Sequence, residues 1–173
     1  MFILEELIDK GACDPMVNFF VRTGRRNITP EIINLFRSDM EDSWMLWLLK
    51  NIRDEELLCS RMEDRCDEVR IYVAKKIHRS LLSRMRYDGS IEVRCVVARR
   101  ISDEYFEEMI GDVNDRVVTI VAKRVLESPL RGMDDDDREC IIRYAKYLLL
   151  PQEKKQEIAP DVQDIVEKRK IRY

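Results

Sequence analysis

Three pairs of adjacent cations recur at a fixed step along the chain: Lys75-Lys76, Arg99-Arg100 and Lys123-Arg124, each 24 residues after the last. Carried on stacked helices, such pairs form a ladder with rungs on the order of 10 Å apart. That spacing suits a phosphate backbone, which basic residues track by displacing counterions. The same residues fall at the predicted ends of long helices, where cations complement the helix dipole and bond the last carbonyls. The structural role takes precedence in this reading, with the ladder kept as a candidate binding site. Arg70 and Arg94 carry a second possibility, bidentate capture of a carboxylate or phosphate. A turn acid of the same or a neighbouring segment, such as Asp64, Asp67, Asp88 or Glu92, is the expected partner.

Trp44 and Trp47 stand three apart on one predicted helix and make a candidate aromatic groove, able to hold a partner side chain or a flipped base. Core packing is the competing and preferred use of the two indoles. His78 is the only histidine, beside Arg79, with no second histidine and no Cys-x-x-Cys pair to complete a metal site. Nothing marks a neighbouring Ser or Cys as an activated nucleophile, and Ser80 and Ser83 read as caps of the next short helix. The run Asp134–Asp137 lacks the alternation, central Gly and distal Glu of a calcium loop, since Glu139 and Ala145 occupy positions 6 and 12. An N-cap with first-turn acids explains it better. Neither a Gly-rich phosphate loop nor a zinc spacing is found. No catalytic residue, metal or cofactor is assigned.

These side chains sit on a repeat. Val69, Val93 and Val117 lie 24 apart, as do Ala74, Ala98 and Ala122, and Ile77, Ile101 and Val125. Asp64, Asp88, Asp112 and Asp136 keep the step, and Ile141 extends the Val series. A period of this size signals stacked units that cannot bury their own apolar faces. Each unit reads as a short helix, an acidic turn and a longer helix such as DEVRIYVAKKI, with the small Ala allowing close approach of the next helix. The fold class expected is all-α, an α-solenoid in one domain over 1–173. Its parts are a helical cap over 1–29, a degenerate repeat over 30–53, repeats over 54–150 and a C-terminal cap over 151–173. Asp14-Pro15, Thr29-Pro30 and Ser43 are the predicted helix starts near the N-terminus, after a first helix over 1–10. A last polar helix is expected over 160–170.

Composition agrees with helices: only 5 Gly and 5 Pro, with 45% apolar and 38% charged residues. The net charge of −3 gives no global attraction to nucleic acid, so such binding needs a local patch. Five cysteines, an odd number without a paired motif, suggest reduced and mostly buried thiols in a cytoplasmic chain. The acidic start MFILEELIDK is unlike a secretory leader, and the apolar run MLWLL is too short to span a bilayer.

The Asp, Val-Arg, Val-Ala and Leu-pair pattern resembles the leucine-rich repeat variant family. It is seen as Asp64, Val69-Arg70, Val73-Ala74 and Leu81-Leu82, and again as Asp88, Val93-Arg94, Val97-Ala98 and Tyr105-Phe106. The third copy keeps Asp112, Val117 and Val121-Ala122 but has Val118 in place of Arg. The resemblance implies a right-handed superhelix of alternating α- and 3₁₀-like helices, similar in shape to HEAT arrays. Some members carry an iron–sulfur cluster on N-terminal cysteines. Cys13 is the only cysteine ahead of the array, so no cluster is carried over. Gly11-Ala12-Cys13 and the Ser43–Leu49 segment are similar to the starts of small uncharacterised bacterial and phage proteins, which implies a prokaryotic or phage origin and no activity; a prokaryotic or phage adaptor or inhibitor fits that origin. The expected function is a non-enzymatic scaffold that binds a protein partner, with no membrane role. The alternatives are nucleic-acid binding through the basic ladder and, third, a base-excising enzyme using a carboxylate beside Trp44 or Trp47.

Overall fold

The computed structural model of the protein describes residues 2–155, so the polar helix expected over 160–170 lies outside the described residues. The chain is mostly helical and divides into two compact units between Ile77 and His78.

The first unit opens with two short strands, β1 (Phe2–Ile3) and β2 (Asn27–Ile28), paired antiparallel. This corrects the expected helix over 1–10, which is confined to α1 (Leu4–Asp9). The β-branched Ile3 and Ile28 suit extended backbone, and the Leu4 amide continues the pairing onto the Arg26 carbonyl at 3.0 Å. Gly11 and Gly24 follow α1 and α2 (Asp14–Arg22) at φ +79° and +68°, the left-handed conformation that ends helices. Cys13 is the N-cap of α2, one residue before the expected Asp14, and Pro15 takes the first turn. Thr29 caps α3 (Pro30–Leu35) as expected, accepting the Ile32 amide. A 3₁₀ turn, η1 (Arg37–Asp39), leads to α4 (Asp42–Asn51). Ser43 lies inside α4, and Glu41 is its N-cap. Asp54 caps α5 (Glu55–Ser60), and α6 (Asp67–Lys76) closes the unit.

The second unit runs η2 (Arg79–Met85), α7 (Ile91–Arg100), η3 (Asp103–Tyr105), α8 (Phe106–Met109), α9 (Asp115–Glu127) and α10 (Asp135–Leu148). His78, not Ser80 or Ser83, is the N-cap of η2, its Nδ1 accepting the Ser80 amide at 3.4 Å.

The Asp recurring every 24 residues has a backbone cause. Asp64, Asp88 and Asp112 each accept the amide two residues on, at Cys66, Ser90 and Asn114 (3.1, 2.8 and 2.8 Å). Each Asx turn ends where α6, α7 or α9 begins. The series stops there: Asp136 lies in the first turn of α10, and Asp134 caps that helix through the Asp137 amide. The segment Ser128–Gly132 displaces the register, with buried Leu130 held at φ +47°, a conformation unfavourable for a side chain with a Cβ. The helix before it, α9, runs a turn beyond Lys123-Arg124 to Glu127, because its stop is the extended residue required before Pro129.

Val69, Val93, Val117 and Ile141 are all fully buried, with Ala74, Ala98 and Ala122 beside them. In the first unit α4 and α6 lie parallel, and in the second α7 and α9 do. In the first, Arg65, just before α6, donates to the Met40 carbonyl just before α4 (3.0 Å), and the hydroxyl of Tyr72, past the middle of α6, donates to the Leu49 carbonyl near the end of α4 (3.3 Å). In the second, Arg116 grips Glu92 where α7 and α9 start (2.6 Å), and Arg124 donates to the Ala98 carbonyl where α7 finishes (2.8 Å). In each pair a short return segment brings the two helix starts to one end and the two helix finishes to the other.

Candidate functional site

The basic doublets divide by position. In the second unit Arg99 and Lys123 are exposed, while Arg100 and Arg124 are half-buried. Arg124 is committed to structure: its guanidinium lies 4.6 Å over the Phe106 ring, bonds the Ala98 carbonyl and stands 3.9 Å from Asp103. Burial, with the nearby charge of Arg79, holds Arg124 below the usual guanidinium range. Arg79 donates to the Ile101 carbonyl at 2.8 Å, so the end of α7 is capped by two guanidinium groups from outside that helix. Arg99 donates to its own helix, at the Cys95 carbonyl (3.4 Å). Lys75 and Lys76 belong to the first unit, both exposed at the end of α6.

The arginines at the start of the long helices are internal. Arg70 and Arg94 each reach back six residues to the carbonyl of their own turn Asp, at 2.7 and 2.8 Å. Arg94 also holds Asp112 with two bonds, 2.7 and 3.1 Å, so its carboxylate belongs to the next turn and not to Asp88 or Glu92.

The most enclosed charges escaped the sequence reading. Asp64 has no exposed side-chain surface, and Arg37 grips it bidentately at 2.7 Å twice. Arg37 also meets Asp42 at 2.5 Å, while Arg61 bonds Asp64 at 3.3 Å and the Asn34 side chain. Burial pushes the Asp64 carboxyl up, but the Arg37 bonds, the Cys66 amide and the charges of Arg37 and Arg61 together bring it below the ordinary range. The bond to Asp64 raises Arg37, against the cost of burial. A sequence signal existed: Arg37 and Arg61 are 24 apart. Asp64 has Leu46 at the position 18 residues before it, where Asp112 has Arg94. Arg37 and Arg61 supply the missing charge.

Trp44 is half-buried, its ring 5.8 Å from Phe19, which in turn meets Phe20 (5.3 Å) and Phe36 (5.8 Å). Trp47, one turn on, is half-buried too, and its carbonyl accepts from Asn51. A second aromatic group lies in the second unit. Arg86 sits 4.5 Å over Tyr87 and 5.5 Å over Tyr105, and together with the Tyr87 hydroxyl it holds Glu108 (2.5 and 2.8 Å). Tyr87 is 65% exposed.

Cys66, Asp67 and Glu68 bring a thiol and two carboxylates within 4.8 Å of one another. Burial and the bond to Glu68 (3.0 Å) raise the Cys66 thiol, which favours the protonated form and not a metal-binding thiolate. The two acids also occupy the first turn of α6, where negative charge is stabilising. The cysteines are less enclosed than expected: only Cys66 and Cys95 are buried, and Cys13 is exposed. No helix among the described residues is long and apolar enough to cross a membrane.

No family model, curated protein or solved structure matches the chain.

Proposed function

We propose that the chain is a non-enzymatic scaffold, a right-handed α-solenoid of 24-residue repeats of the leucine-rich repeat variant kind, that binds a protein partner in the cytoplasm. The parallel setting of α4 and α6 in one unit, and of α7 and α9 in the other, carries this reading. It aligns equivalent outward residues into rows, the kind of surface that stacked-repeat proteins offer to macromolecules. Many of the arginines are engaged internally, at Asp64, Asp112 and Ala98, which leaves few cations in a row for a phosphate backbone. The test is affinity capture from a lysate, split with and without nuclease. A protein retained equally in both arms supports the reading, and capture lost on nuclease treatment turns it to nucleic acid.

Binding of nucleic acid is the second reading, favoured by exposed Lys75, Lys76, Arg99 and Lys123. It requires affinity for duplex or single strand to fall steeply between roughly 50 and 200 mM salt. A base-excising enzyme needs a carboxyl held protonated beside an indole. The described carboxyls that leave their ordinary range, Glu31, Asp42, Asp64, Glu68 and Glu92, all move down.

A further inference from the structure

We infer that the end of the second unit where α7 and α9 finish is a docking edge for an acidic, partly apolar protein segment; this deepens the protein-binding reading and rests on it. Because α7 and α9 are parallel, Arg99 and Lys123 come to the same end of the unit, and both are exposed. Arg79 joins them, anchored through the Ile101 carbonyl with half its side chain (51%) in solvent. Arg124 lies at the same end but is occupied by Ala98 and Phe106. Leu126, one turn beyond Lys123, is 42% exposed and adds an apolar contact.

Charge decides the kind of segment. Asp103 is already held, 3.7 Å from Arg79 and 3.9 Å from Arg124, with the Ser128 hydroxyl donating to it. The anchored guanidinium of Arg79 and the exposed side chains of Arg99 and Lys123 are then suited to carboxylates from outside. A continuous phosphate backbone is a poorer match, because Glu104 in η3 and Glu127, the last residue of α9, interrupt the positive run. An acidic peptide sets its charges apart and offers apolar side chains between them, as Leu126 requires.

The test uses the full chain and two fluorescent probes read by anisotropy: a short peptide of alternating Glu and Leu, and an oligothymidylate of equal charge. The peptide should bind, more weakly as salt rises. Arg99→Glu with Lys123→Glu should weaken it about tenfold, as expected when two exposed attractive pairs become repulsive, with circular dichroism unchanged. Absence of peptide binding, equal affinity in the variant, or preference for the oligothymidylate overturns the docking edge. Nuclease-resistant protein capture by the double variant at the wild-type level removes this edge while leaving the scaffold reading standing. Nuclease-sensitive capture by the wild-type chain removes the scaffold reading itself.

Discussion

The two units use the same turn Asp and the same parallel pair of long helices, yet they hold their charges differently. In the first, one carboxylate collects two guanidinium groups: Asp64 is enclosed by Arg37 and Arg61. In the second, charge is spread over separate rungs, Arg116 with Glu92 at the start, Arg94 with Asp112 behind it, and Arg124 on the Ala98 carbonyl at the end. The difference traces to a single place in the repeat. Where Arg94 serves Asp112 from 18 residues before, the corresponding place before Asp64 is Leu46. An enclosed carboxylate without that Arg had to recruit partners from elsewhere. A concentrated cluster fails as one, whereas a distributed one fails rung by rung, because removing one member of a buried pair leaves the other charge without compensation.

The contrast can be broken most severely at Asp64. Asp64→Ala takes from the buried Arg37 and Arg61 the carboxylate they share, leaving Arg37 only the half-exposed Asp42 as a charge partner, and should cost the first unit about 3–5 kcal/mol. Both tryptophans, Trp44 and Trp47, lie in that unit, so tryptophan fluorescence during urea unfolding reads the loss directly. Arg94→Ala should cost the second unit less, about 2–3 kcal/mol, since Asp112 keeps the Asn114 amide. Amide exchange along α7 and α9 would show it, with the tryptophan signal little changed.

Acid sharpens the same comparison. The Asp64 carboxyl is held below its ordinary range in the folded chain. Its contribution is therefore complete above the unfolded value, about 3.9, and is lost as pH falls through the folded value. The urea midpoint read by tryptophan should hold steady near neutrality and drop below about pH 4. Asp64→Asn should flatten that drop. The smallest effect belongs to Arg116→Ala. Its pair with Glu92 is more than half exposed on both sides, so the unfolding midpoint should stay within error.

Much of the helical architecture could be read from the repeat. The apolar positions Val69, Val93, Val117 and Ile141 recur because one helical face must be hidden in each segment, and burial leaves a mark on residue type. Thr29-Pro30 and Asp134 carry local capping chemistry that acts within a few residues, and both cap where they were placed. The strands Phe2–Ile3 and Asn27–Ile28 were missed because two-residue pairing over such a separation has no periodicity to detect. The cations were harder. Arg124 and Lys123 are neighbours of like charge, yet one lies on an aromatic ring and the other in water. Helix rotation and the neighbouring Phe106 separate them, and neither is visible in the doublet itself. Arg37 and Arg61 were hidden for the opposite reason: each looks like an ordinary surface arginine until Asp64 is found enclosed between them.

Parallel stacking of equivalent helices is the feature on which the scaffold reading and the docking edge both depend. Pulsed dipolar distances between nitroxide labels, in a chain whose native cysteines are replaced by Ala, measure it without reference to any partner. Labels at Glu92 and Arg116, and separately at Arg99 and Lys123, should give short distances. A cross-end pair at Glu92 and Lys123 should be longer, because some seven residues of helix add on the order of 10 Å along the axis. A cross-end distance shorter than the two same-end distances would mean antiparallel neighbours, and the repeat stack and its binding edge would both be wrong.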